Sequence, residues 1–243
     1  MRTLFDRLRS LFIWIIALPV FLVVCILVWL GSFLLRGRAL EALLKTGCRA
    51  LLIVCGIRVR ASGRENLVPG RQYIAMMNHV NFFDPFVFQV AFPPALRGVE
   101  EESHFRWPVY GGTIHRLGMF PISRKDTASA VETLRRAAAW VRERRRFSFG
   151  IMPEGTRTLD GKLGPFKRGG FFMALETGFD ILPVVQKGSF EINHKGTKLI
   201  RPGRVGVSIE PAIPVAGYTK DNIDDLIERV RGVFLERLGE STS

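Results

Sequence analysis

The chain has 243 residues, enough for one ordinary globular domain with an appendage and too few for two large domains. Its 47% hydrophobic residues can bury a sizeable core, its 23% charged residues are too few for a disordered chain, and 24 Gly and 13 Pro without a period exclude collagen-like and low-complexity classes. Lys+Arg 35 against Asp+Glu 22 gives a net charge of +13, so the surface attracts anions: nucleic acid, anionic lipid or phosphorylated small molecules.

Residues 11–35 read LFIWIIALPVFLVVCILVWLGSFLL, with no charge and one hydroxyl, Ser32. A bilayer core takes about 20 apolar helical residues, so this run is long enough to span or deeply enter a membrane. Arg2, Arg7 and Arg9 would suit a signal peptide, but the apolar run exceeds the usual ~7–15 residues and no A-x-A-like site follows it. Arg36, Arg38, Lys45 and Arg49 on the far side nearly balance the three arginines before it, which leaves the orientation open. Pro19 can kink the helix and Gly31-Ser32 can loosen its end, and residues 39–56 predict a second, more amphipathic helix. A spanning helix and a two-helix hairpin lodged in one leaflet both fit. Cys25, Cys48 and Cys55 fall in this quarter without metal-type spacing and read as small buried hydrophobes, not as a disulfide scaffold or a zinc site.

From residue 57 the composition shifts to short apolar stretches alternating with helical patterns, the signature of an α/β layer fold. Candidate strands are 57–61, 72–77, 96–99, 119–123, 148–152, 181–185 and 205–210; helices are expected near 85–92, 108–117, 127–145, 169–177 and 220–238. The division is therefore 1–56, membrane-anchoring helices, and 57–243, one α/β domain, with no internal repeat. No G-x-S-x-G or H-E-x-x-H is present, and the nearest approach to a P-loop, Gly155 to Gly161-Lys162, has the wrong glycine spacing and no hydroxyl after the lysine.

Met77-Asn78-His79-Val80-Asn81-Phe82-Phe83-Asp84-Pro85 follows directly on the strand QYIAMM, the place where α/β folds put reactive groups. Residues five apart lie about 140° apart on a helix, so His79 and Asp84 must meet across a turn. Asp84-Pro85 reads as an N-cap followed by an N1 proline, which puts the carboxylate at the mouth of a helix beside the loop that carries His79. That arrangement lets Asp84 hold one imidazole nitrogen and leaves the other as a general base; a helix cap beside an unremarkable loop histidine is the bland reading.

Two basic loops add to this. Residues 118–124 (GMFPISR) end a short strand in Arg124, and residues 152–158 (MPEGTRT) end another in a glycine-containing turn with Arg157. Arginine forks suit phosphate oxygens, glycine lets backbone N–H groups approach an anion, and Lys167-Arg168-Gly169 opens a helix whose N-terminus favours phosphate.

With these blocks the chain resembles the 1-acylglycerol-3-phosphate acyltransferases and their glycerolipid acyltransferase relatives. That family carries an N-H-x-x-x-x-D block, matched by Asn78-His79 to Asp84; an arginine-terminated second block, matched by Gly118 to Arg124; an E-G-T-R block, matched by Glu154 to Arg157; and a proline-containing apolar block, matched by Ile181-Leu182-Pro183-Val184. The resemblance spans about residues 58–210. Ser123 stands where many members have an acidic residue before the arginine.

The resemblance implies a single acyltransferase domain of α/β class, a mixed sheet covered by helices, preceded by an N-terminal membrane-embedded helical segment. It implies transfer of a fatty acyl group from acyl-CoA or acyl carrier protein to a lysophospholipid hydroxyl, with lysophosphatidic acid as the first acceptor and another lysophospholipid or a lyso-aminolipid as alternatives. His79 would be the base and Asp84 its partner. Asn78, Arg124, Glu154, Gly155, Thr156 and Arg157, with Lys167 and Arg168 as weaker additions and Pro183 from the fourth block, would serve substrate binding. Gly155 and Thr156 could donate N–H groups to the phosphate. No cofactor or metal is called for, since a thioester is already activated, and no nucleic-acid partner is expected. The body should face the cytoplasm, on the inner membrane in a bacterium.

Other features have bland readings. Arg135, Arg136, Arg142, Arg144, Arg145 and Arg146 suit a solvated outer helix face somewhat better than contact with anionic headgroups. His104, His115 and His194 lack an evident carboxylate partner and read as structural, and Phe82, Phe83, Phe86, Phe88 and Phe92 either pack the core or line an acyl channel. The rival from another class is a non-catalytic, membrane-anchored protein that binds anionic lipid through its basic surface.

Overall fold

The computed structural model describes residues 2–123 and 125–240. The apolar N-terminal run forms one helix, α1 (Arg2–Leu34), helical through both Pro19 and Gly31-Ser32. Its stretch Leu4–Leu34 is long and apolar enough to cross a membrane. After a turn in which Gly37 adopts a φ of 55°, α2 (Arg38–Val54) returns along α1. The two approach closely at Gly47, where an added Cβ would lie 2.5 Å from a methyl of Val24.

Seven strands follow: β1 (Ile57–Ser62), β2 (Ile74–Met77), β3 (Leu96–Glu101), β4 (Phe120–Ile122), β5 (Ser148–Ile151), β6 (Ile181–Lys187) and β7 (Gly203–Ile209). They alternate with α3 (Asp84–Ala91), α4 (Tyr110–Leu117), α5 (Thr127–Arg144), α6 (Gly169–Thr177) and α7 (Ile223–Leu238). All form one sheet of order β1-β7-β6-β2-β5-β3-β4. The strands from β6 to β4 run parallel; β7 is antiparallel to β6, and β1 is parallel to β7. This is the mixed, helix-covered sheet that the resemblance implies.

Some boundaries differ from the sequence expectation for local reasons. β4 stops at Ile122 because the Ser123 hydroxyl accepts the N–H groups of Lys125 and Asp126, both at 3.3 Å, and turns the chain. α7 starts three residues late because Asn222 Oδ1 accepts the Thr219 N–H at 2.6 Å and closes a turn.

Side chains alternate between two cores, as a strand period of two requires. Ile74 and Met76 face Leu134, Phe171 and Phe234 of α5, α6 and α7. Ala75 and Met77 face α2 and α3, with Ile13 and Ala17 of α1 in the same cluster. The N-terminal helices thus share a core with the sheet. On α5 and the two residues after it, the arginines expected on an outer face, from Arg135 to Arg146, are all exposed, while Leu134, Ala137, Ala138 and Val141 are buried.

Polar ties fasten the same helices along their length. Ser10 Oγ donates to Ile200 O (3.2 Å) and accepts from Ile200 N–H (2.9 Å), and Trp14 Nε1 donates to Lys198 O (2.8 Å). Further along, Thr113 Oγ1 donates to Cys25 O and Arg116 to Ser32. From residue 10 to residue 32 that is about 33 Å of helix at 1.5 Å per residue. On α2, Lys45 Nζ donates to the carbonyls of Phe92, Pro93 and Pro94, and Glu41 pairs with the buried Arg97 of β3. The outer face of α1 stays apolar, with Leu11, Phe12, Ile15 and Leu18 each more than half exposed.

Candidate active site

Because β2, β5, β3, β4 and β6 are parallel, their carboxyl ends gather at one edge of the molecule, and the loop from Asn78 to Phe83 leaves β2 there. Asn78 anchors its start: Nδ2 donates to Gln186 O (3.1 Å), Oδ1 accepts the Gln186 N–H (2.8 Å), and Gln186 Nε2 donates to Asn78 O (2.9 Å). Asn81 anchors its middle, with Nδ2 on Ser189 O at 2.8 Å and Oδ1 accepting the Phe83 N–H at 2.7 Å.

Asp84 is fully buried, and its Oδ2 accepts three donors: His79 Nδ1 at 2.8 Å, Val80 N–H at 2.5 Å and Asn81 N–H at 2.9 Å. Here the cap expectation needs correction. Phe83 occupies the N-cap position, and Asp84 is the first helical residue, with its carboxylate turned back into the loop. Three donors from residues 79–81 outweigh a single cap bond. An acceptor on Nδ1 fixes the proton there, so Nε2 carries the lone pair. Nε2 has no partner among the described residues, and the His79 side chain is 13% exposed, open at this edge.

The turn after β5 wraps the same histidine. Thr158 N–H donates to His79 O (3.0 Å), and Glu154, 6% exposed, accepts the His79 N–H at Oε2 (2.6 Å) and the Gly164 N–H at Oε1 (3.4 Å). Burial pushes Glu154 up to about 7, an effect that the two amides oppose and nearby Asp84 reinforces. Gly155 has a φ of 68°, a backbone conformation that favours glycine, and the Lys167 side chain passes close over it. Its N–H, expected as an anion donor, instead closes the turn on Met152 O at 3.0 Å. The N–H groups of Thr156 and Arg157 have no partner among the described residues, and no described carboxylate pairs with the Arg157 side chain.

His79, Asp84, Glu154, Gly155, Thr156, Arg157 and Lys167 therefore gather at one edge. Asn78, at the start of the loop, and Pro183 of β6 lie behind them, Pro183 buried opposite Met76. Arg168 is directed to Asp224 of α7 at 2.6 Å, and Arg124 falls outside the described residues. Lys195, which sequence reasoning missed, donates to Thr156 Oγ1 at 2.9 Å from the β6–β7 loop, 39 residues away and without a local signal. His104 does have a carboxylate partner, contrary to expectation: Glu100 Oε1 lies 2.7 Å from its Nδ1.

An aromatic path leads inward from Phe82 through Phe86 (centroids 6.4 Å apart) to Phe21 (6.1 Å). It reaches a mostly apolar cavity of about 90 Å³ bounded by Phe21, Leu51, Phe86 and Ile114 from α1, α2, α3 and α4.

Residues 58–187 match the family described as Acyltransferase. The chain is 29% identical over 188 residues to a 1-acyl-sn-glycerol-3-phosphate acyltransferase of Limnanthes douglasii, covering 77% of this chain and 66% of that protein, so it spans just under two thirds of that relative. It is 27% identical over 203 residues to 1-acyl-sn-glycerol-3-phosphate acyltransferase alpha of Homo sapiens, covering 82% and 71% respectively. The crystal structure of the 1-acyl-sn-glycerophosphate (LPA) acyltransferase PlsC from Thermotoga maritima superposes with a TM-score of 0.80 over 97% of both chains at 23% identity, a likeness of fold.

Proposed function

Because this chain belongs to the acyltransferase family, we propose that it transfers a fatty acyl group from an acyl thioester, acyl-CoA or acyl carrier protein, to the free hydroxyl of 1-acylglycerol-3-phosphate, giving phosphatidic acid. The observation that carries the reading is the imidazole of His79, locked through Nδ1 on buried Asp84 with Nε2 open at the strand ends.

An alcohol is a weak nucleophile near neutral pH. Nε2 takes its proton as the oxygen attacks the thioester carbonyl, and Asp84 stabilises the imidazolium that forms. Collapse of the tetrahedral adduct breaks the C–S bond, and the departing thiolate takes the proton from His79, so the base is restored without a cofactor. Arg157, the unpartnered N–H groups of Thr156 and Arg157, and the lysines at 167 and 195 suit the acceptor phosphate. The cavity behind Phe86 is apolar but, at about 90 Å³, has room for only a few methylenes of an acyl chain, so a whole chain needs α1 to α4 to part there. Since α1 is fastened to the body over about 33 Å, its exposed apolar face fits a helix lying in one leaflet better than one projecting across the bilayer. The catalytic edge then rests where a membrane-bound acceptor can reach it.

Purified protein in detergent micelles, given an acyl-CoA and a panel of lysolipids, tests the assignment by mass-spectrometric product analysis. Phosphatidic acid formed from lysophosphatidic acid, with Arg157→Ala raising KM for that acceptor about 10- to 100-fold, is the expected result. Turnover confined to a lysolipid without a phosphomonoester overturns the acceptor assignment.

A further inference from the structure

A carboxylate among cations that suit a phosphate is an anomaly, and its geometry explains it. Neither oxygen of Glu154 is aimed at the open edge: the residue is buried, and both oxygens accept backbone N–H groups, one of them that of His79 itself. Among the described residues no lysine or arginine forms an ion pair with it. The peptide of His79 is thus held at both ends, its N–H by Glu154 and its carbonyl by the Thr158 N–H, while its ring is held by Asp84.

We infer that Glu154 is a positioning residue: it fixes the catalytic imidazole through the His79 backbone N–H and does not bind the acceptor. This rests on the reading of His79 as the base. An ionised carboxylate offers an acceptor to each of the two amides. Once protonated, it presents an O–H to one of them, and the grip on residue 79 loosens. The groups facing Glu154 set when this happens. They are His79 and Asp84 from the β2–α3 loop, and Arg231 of α7, whose guanidinium donates to Gly164 O at 2.6 Å. The Lys167 side chain passes over the adjoining Gly155. Burial outweighs the rest and brings the protonation of Glu154 to about 7, so its loss of grip falls on the acid side of the rate profile.

The test is steady-state kinetics of the full-length protein in detergent micelles with an acyl-CoA and lysophosphatidic acid, between about pH 5.5 and 8.5, for wild type, Glu154→Gln, Glu154→Asp and His79→Ala. Glutamine keeps the shape but turns an NH₂ toward one amide; aspartate keeps the charge but withdraws it by one methylene. Both should lose about 10- to 100-fold in kcat with KM for the acceptor within about twofold, and Glu154→Gln should make the acid limb shallower than that of wild type. A tenfold or greater rise in KM with kcat retained makes Glu154 an acceptor-binding residue and overturns the inference. So does a loss of kcat that leaves the acid limb unchanged and merely follows a lowered melting temperature. The His79→Ala arm separates the two claims: wild-type turnover there defeats the catalytic reading itself, whereas an inactive His79→Ala beside an unimpaired Glu154→Gln defeats the positioning role alone.

Discussion

Asp84→Asn removes one charge and sets an NH₂ where the buried Oδ1 has no hydrogen-bond partner among the described residues, so the melting temperature is measured beside the rate. The Val80 and Asn81 N–H groups point at the position of Oδ2, so the amide oxygen must take that place and the NH₂ must turn to the other side. The carbonyl oxygen then still accepts Nδ1–H, the tautomer is retained, and Nε2 remains a base. What disappears is the attraction between the carboxylate and the imidazolium formed as the acceptor hydroxyl loses its proton. For charge centres about 4 Å apart at an effective dielectric constant near 20, that attraction is about 4 kcal/mol. At 1.36 kcal/mol per factor of ten, kcat should fall about 10³-fold, with KM for both substrates nearly unchanged. Thiol release from an acyl-CoA, followed with a chromogenic thiol reagent under saturating lysophosphatidic acid, measures it. A loss below about tenfold in a folded protein would refute the argument, because the imidazolium would then not form in the rate-limiting step.

Two further outcomes follow from the geometry. Replacing Leu11, Ile15 and Leu18 by Asn removes three exposed apolar side chains, each worth about 1.5 kcal/mol or more when buried in lipid; vesicle flotation should show partitioning reduced about 10³-fold while far-UV circular dichroism stays constant, and unchanged flotation would contradict the one-leaflet placement. Glu154 binds its proton at about 7 when folded and near 4.5 when unfolded, so it contributes stability that is fully present below about pH 4.5 and lost as pH rises through 7. Thermal unfolding in micelles should therefore show wild type gaining more than Glu154→Gln between about pH 8 and pH 6; equal gains would refute the buried-carboxylate account.

Much of the α/β body is legible in the sequence because its strands are short apolar runs with polar turns between them, and all seven expected strands occur. The His79–Asp84 pairing is legible because a proline after Asp84 starts a helix just past the loop. What local pattern cannot carry is a bond between distant backbone groups: the grip of Glu154 and Thr158 on the His79 peptide joins residues more than seventy apart and uses amides that every residue possesses. The same limit hid the role of Lys45. It reads as a charge that helps orient a membrane helix, yet it is spent on three carbonyls between α3 and β3. The His104–Glu100 pair was within reach, four residues apart, but the strand reading stopped at Val99, and the helical turn that brings the two together was not evident. Gln186, polar at the end of an apolar strand, was a usable sign of the anchor that holds Asn78.

Comparison of wild-type and His79→Ala protein tests the central claim most directly, with thiol release and phosphatidic acid formation from an acyl-CoA and lysophosphatidic acid measured together. The account predicts that both signals vanish in the variant while vesicle binding and melting temperature stay at wild-type values. Retained turnover in a folded His79→Ala protein would contradict it, since no other described group at that edge holds an open, carboxylate-oriented base.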